Sequence, residues 1–95
     1  MKFSEIANDF ENGEVIYRKA WDKDIVIFKQ IPANIIENDI PKMTSLSPQT
    51  KEMILQNKKC IKYRHQAIEY NMSTGRASYW IPTIADLAAN DWEIY

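Results

Sequence analysis

The order of patterns along the chain predicts an α+β fold: one small, mainly antiparallel sheet with short helices packed on it, in a single domain. Three observations lead there. Two pairs of strand-like runs, 14–20 with 25–31 and 61–72 with 77–81, are each joined by a polar turn. Short helical patterns lie at both ends of the chain rather than alternating with every strand. At 95 residues the chain has the length of one domain.

Each element has a local cause. Phe3, Ile6, Ala7 and Phe10 recur at helical spacing, so 3–11 reads as a short amphipathic helix with Lys2 or Ser4 near its start and Asn12-Gly13 at its end. Residues 14–20 read as a strand with Val15 and Tyr17 on one face and Ile16 and Arg18 on the other. Asp22-Lys23-Asp24 is a polar turn, and the β-branched run Ile25 to Ile31 is a strand closed by Pro32. Residues 33–46 include Pro41 and read as loop. Ser47-Pro48 opens a helix over 48–57, with serine at the cap and proline at the first helical position. Ile61 to Met72 reads as one long strand, 71–76 as a turn containing Gly75, and Ala77 to Ile81 as the return strand. Thr83-Ile84-Ala85-Asp86 matches a capping box and starts a helix over 84–89. Trp92 to Tyr95 closes the sequence as a strand.

Composition excludes several classes of function. Hydrophobic residues make up 45% and charged residues 26%, as in ordinary globular domains. Twelve Lys/Arg against thirteen Asp/Glu leave a net charge of −1, which argues against a nucleic-acid polymer as partner. No apolar run reaches the roughly 18 residues of a membrane span. Met1 to Glu5 lack the apolar stretch of a secretion signal, which predicts a cytoplasmic location in the cell that makes the protein. The single cysteine, Cys60, rules out an internal disulfide. A chain this size buries only about 60–65% of its unfolded surface, and oligomerisation is a common remedy. Charge is unevenly spread: six Lys/Arg and one acid, Glu52, lie between Lys42 and Arg64. Such a local patch suits a small anion, or simply a solvated face.

The usual equipment of an enzyme is missing from the pattern. Asp86 and Asp91 form a conceivable carboxylate pair, but Asp86 already has a capping role. One histidine, His65, and one cysteine make neither a metal-ligand cluster nor a histidine-based triad. Gly13 and Gly75 both fall at turns, so no phosphate loop is present. What remains is an aromatic, polar and basic set: Arg18, Trp21, Phe28, Trp80, Asn90, Asp91 and Trp92. Flat rings can stack on a base, an amide or carboxylate can read its edge, and arginine can hold phosphate. Each ring also suits a plain core role, Trp92 above all because it lies between a capped helix and a closing strand.

The C-terminal block from Trp80 to Trp92 holds two of the three tryptophans. Together with Phe3-Ser4-Glu5-Ile6-Ala7, Asn12-Gly13 and Arg18-Lys19-Ala20-Trp21, it resembles the phage Thoeris anti-defence proteins of the second type. The likeness covers residues 1–32 and about 68–95; the middle, 33–67, has no counterpart in the pattern, and 33–59 within it reads as a variable insertion. Ala20 stands where the family has glycine, and Asp22-Lys23-Asp24 where it favours Asn-Gly-Lys. Ile27 stands where an aromatic is common, with Phe28 one step on and on the other face of the strand.

The resemblance implies a sponge that sequesters a nucleotide immune signal without cleaving it. That signal is a cyclic ADP-ribose isomer, with cyclic di- or trinucleotides held by some relatives. It also implies a homotetramer acting in the host bacterial cytoplasm, with pockets at subunit contacts and no cofactor. Trp21 and Trp80 become the expected stacking rings. Arg18 and Arg76 become the phosphate partners, Asn90 and Asp91 the polar contacts, and Phe28 a further ring at the site. The rival expectations are a hydrolase of the same signal and a non-enzymatic protein-interaction module.

Overall fold

A computed structural model describes residues 1–95. The chain gathers into two units, one made of Met1–Gln30 and His65–Tyr95, the other of Ile31–Arg64.

In the larger unit, helix α1 spans Phe3–Glu11 and is followed by strands β1 (Ile16–Arg18) and β2 (Ile25–Gln30). After the smaller unit come β5 (Gln66–Asn71), β6 (Ala77–Tyr79), helix α3 (Ile84–Ala88) and β7 (Trp92–Ile94). The five strands form one sheet in the order β6-β5-β2-β1-β7, every neighbouring pair antiparallel. The expected fold class is therefore the observed one: α+β, a mainly antiparallel sheet with short helices. The two expected hairpins form. β1 meets β2 with Ile16 opposite Ile27, and β5 meets β6 with Ile68 opposite Tyr79.

Strand alternation sorts the side chains. Ile16 and Ile27 lie on one face and, with Ile6 of α1 and Trp92 of β7, form a fully buried core. The amphipathic stripe of α1 explains this packing, since Ile6 and its neighbours Phe3 and Phe10 all project toward the core. Trp92 is 0% exposed, and its indole N–H donates to the Asp86 carbonyl at 2.9 Å. A buried indole thus gains the partner it needs. The N-terminal segment is tied to the same strand: Met1 N donates to the carbonyls of Asn90 and Trp92, and the Trp92 N–H donates to Met1 O. Lys2, not Ser4, caps α1, and its N–H is received by the Glu5 carboxylate at 2.8 Å.

In the smaller unit, β3 (Asn34–Ile35) pairs with β4 (Ile61–Lys62), and a 3₁₀ turn spans Glu37–Lys42 around buried Ile40. Helix α2 runs Pro48–Leu55, with the Ser47 hydroxyl accepting from the Thr50 N–H. Two expectations change here. Residues 33–46 are not simply loop, because the 3₁₀ turn accommodates Pro41 and buries Ile40. Residues 61–72 are not one strand: Ile61–Lys62 pair with Asn34–Ile35, whereas Gln66–Asn71 pair with β2. The ladder breaks because the partner changes, and no local breaker marks the spot.

Candidate functional site

Three tryptophans that lie far apart in sequence meet in the larger unit. Trp21 and Trp80 sit 6.4 Å apart between ring centroids. Trp92 lies 5.2 Å from Trp21 and 5.9 Å from Trp80. All three pairs are close to perpendicular, the edge-to-face arrangement that ring quadrupoles favour. Phe3 joins Trp80 and Trp92, and Phe10 joins Trp80. Each such pair is worth about 0.5–1.5 kcal/mol beyond its area burial. Trp92 is the core member, while Trp21 and Trp80 remain half-buried.

Beside the rings lies a charged brace. The Arg18 Nε donates to Asp91 at 2.9 Å, and its NH1 group donates to Asp86 at 2.9 Å. Asp91 also receives the Ala20 N–H, and Asp86 receives the Thr83 N–H of the α3 capping box. The two carboxylates hold the guanidinium above its already high ordinary value, Asp91 more than Asp86. Asp91 is held below the ordinary carboxylate value, chiefly by Arg18, against some burial. For Asp86 burial pushes upward, but the Thr83 N–H and Arg18 together outweigh it, so the net shift is downward. Both carboxylates stay ionised near neutral pH. The brace locks the turn before Trp21, the start of α3 and the residue before Trp92 into one arrangement.

Arg18, Trp21, Trp80, Asn90 and Asp91 are thus brought to one end of the sheet. Arg18 and Asp91, however, spend their main hydrogen bonds on each other and on neighbouring backbone and Asp86. Asn90 is exposed, and its carbonyl is held by Met1 N. Phe28 is not part of this group; it stands on the opposite face of β2, its ring 6.1 Å from Tyr70. Arg76 is elsewhere too. It lines a cleft of about 380 Å³ at the β5–β6 turn with Glu69, Asn71, Thr74 and Ser78.

A second cleft, of about 410 Å³, opens between α1 and the β2–β5 part of the sheet. Phe3, Ala7 and Phe10 line its helix side, Lys29 and Ala67 its sheet side, and Glu11 and His65 stand at it as well. Helical spacing puts Phe3, Ala7 and Phe10 on one face of α1, and the β-branched run puts Lys29 in a strand. Only the register Lys29↔Ala67 sets these residues against one another. No helix is long and apolar enough to cross a membrane.

Comparison with known proteins gives the family. Residues 1–95 match the Thoeris anti-defense 2-like domain family, so the match includes the 33–59 stretch as well as the motif-bearing ends. No match is found among curated proteins. A match across the whole chain places the protein in the Thoeris anti-defense 2-like family.

Proposed function

We propose that the protein is a phage sponge that binds a cyclic ADP-ribose-type immune signal and sequesters it without cleaving it. The whole-chain match to an anti-defence family carries this reading. The Trp21–Trp80 pair supports it, because two half-buried indoles packed edge to face, with the turn before Trp21 braced by Arg18 and Asp91, offer a preorganised apolar platform for a base. Exposed Asn90 is the polar contact next to that platform. Arg18 and Asp91 act by fixing the platform, and Arg76 holds phosphate only if the ligand or a second copy reaches its cleft. Asp86 and Asp91, the carboxylates that catalysis would need, are both engaged by Arg18, which favours binding over hydrolysis.

The protein assembles as a homo-oligomer, most simply a tetramer. Ile81, Ile84 and Leu87 are 82%, 86% and 50% exposed around α3, apolar side chains that a second copy would cover. An interface there adds the walls that a shallow platform lacks.

One experiment decides between the readings. The protein is incubated with cyclic ADP-ribose isomers and with cyclic dinucleotides, the free fraction is measured, and the protein is then denatured by heat. Depletion followed by stoichiometric return of intact ligand is the expected result. Return of cleaved ligand identifies a hydrolase. Absence of depletion for every compound leaves an interaction module.

A further inference from the structure

We infer that β6 is an interface strand: two copies of the chain join β6 to β6, antiparallel, about a two-fold axis at Ser78, and make one continuous sheet. This contact deepens the homo-oligomer reading by adding a second surface to α3, and it does not depend on the ligand. β6 is one edge of the five-stranded sheet. The other edge, β7, is partly closed by its own chain: the Trp92 N–H donates to Met1 O at 3.0 Å, and Met1 N donates to Trp92 O at 2.8 Å. β6 stays open, with Ala77, Ser78 and Tyr79 all exposed. Natural sheets guard such an edge with lysine, proline or a bulge. Here the ladder is regular from Ile68↔Tyr79 to Tyr70↔Ala77, and Ala77 to Ile81 contains neither a charge nor a proline. Tyr79 is instead 65% exposed.

In an antiparallel ladder, successive residues point their backbone groups at alternate neighbours. The Asn71 N–H donates to the Arg76 carbonyl at 2.9 Å and the Trp80 N–H to the Ala67 carbonyl at 2.8 Å, so Arg76, Ser78 and Trp80 turn toward β5. The N–H and C=O groups of Ala77 and Tyr79 therefore point away from the sheet, spaced to bond another strand. Self-complementarity selects a second copy as that strand. With the axis at Ser78, Ala77 lies opposite the partner's Tyr79, so a small residue faces a large one twice over. A cleft of about 370 Å³ bordered by Ile68, Ala77 and Tyr79 gives each ring a seat. Arg76 falls opposite the partner's Trp80, so no like charges meet and the cation comes within reach of an indole. The pairing thus brings the partner's Arg76 to the Trp80 end of the platform, from which the chain's own Arg76 is remote.

The test uses the full chain carrying Cys60→Ser, so that any cysteine introduced is the only one. Opposite residues at a non-hydrogen-bonded position of an antiparallel pair have Cα atoms about 4.5 Å apart, within the roughly 4.4–6.8 Å that a disulfide spans. Ser78→Cys should therefore cross-link two chains on mild oxidation, whereas Thr74→Cys, in the turn away from the axis, should not. Tyr79→Lys adds the charge that natural edges carry, and should lower the assembled mass in light scattering with circular dichroism unchanged. Arg76→Ala should weaken the same association about 2- to 5-fold, the worth of one exposed cation–π contact. If Tyr79→Lys fails to fold, Ala77→Pro serves, because the Ala77 N–H points outward and proline removes only the intermolecular donor. A parent protein that is monomeric at micromolar concentration overturns the proposal. So does a folded, oligomeric Ser78→Cys protein that does not cross-link, or an assembled mass that the edge variants leave unchanged. Ile84→Lys acts on α3 alone, so a mass that falls with Ile84→Lys but not with Tyr79→Lys sinks the β6 contact and keeps the other. Cross-linking by Ser78→Cys in a protein that captures no nucleotide keeps the β6 contact and sinks only the sponge.

Discussion

At the scale of single residues, Arg18 decides most. It holds two carboxylates that would otherwise repel each other at one end of the sheet. Replacing it with methionine leaves both unpaired in a partly buried setting, and we expect a loss of about 2–3 kcal/mol, read as a lower urea midpoint. The same brace sets an acid response. Asp86 and Asp91 are both held below their ordinary value of about 3.9, so below that pH the unfolded chain takes up protons first. Their contribution is complete above that value and is lost as pH falls through the lower, folded values. Urea midpoints measured from pH 7 down to 3 should therefore drop at the acid end, and the drop should be shallower in Arg18→Met. Trp21 is the residue to change for function. Base stacking is worth about 1–3 kcal/mol, so Trp21→Ala should weaken a cyclic ADP-ribose isomer roughly 5- to 150-fold. A folded variant with unchanged affinity would remove Trp21 from the site.

At the scale of elements, α3 is the shortest α-helix and the one best placed to matter. It spans only Ile84–Ala88 and would not persist alone. Two devices hold it: the reciprocal Thr83–Asp86 bonds at its start, and the Trp92 indole N–H on the Asp86 carbonyl. Thr83→Ala should lower stability by about 0.5–2 kcal/mol. Because Asp86 also grips Arg18, the loss should spread to the platform and lower signal affinity in the same variant. A melting temperature equal to the parent's would show that the cap contributes nothing.

At the scale of the whole molecule, the exposed apolar side chains around α3 call for a partner surface. Ile84 at 86% exposed is the sharpest case, since α3 buries almost none of it. Light scattering at micromolar concentration should give a mass several times 11.2 kDa. Ile84→Lys should shift that mass downward while circular dichroism stays unchanged. A monomeric parent would refute the assembly and, with it, any pocket shared between copies.

Local chemistry made much of this legible in advance. The 3.6-residue spacing of Phe3, Ile6 and Phe10 marked α1, Ser47-Pro48 marked α2, and the capping box marked α3, because these signals act within one or two turns of chain. The motif around Trp80 and Trp92 pointed to the family for the same reason: it is contiguous. What needed tertiary structure was every choice of partner. The sequence does not say that Ile61–Lys62 leave the strand that follows them, since either pairing satisfies the same backbone groups. It does not say that Arg18 turns inward to two aspartates rather than outward to a phosphate, because a guanidinium binds either equally well and only position decides. Phe28 and Arg76 have suitable chemistry for the platform, yet one faces the wrong side of β2 and the other stands at the far end of β6. The cleft beside Ala7 and Ala67 was invisible for a different reason: a cavity is made by what small side chains fail to fill, and only packed neighbours show what is missing.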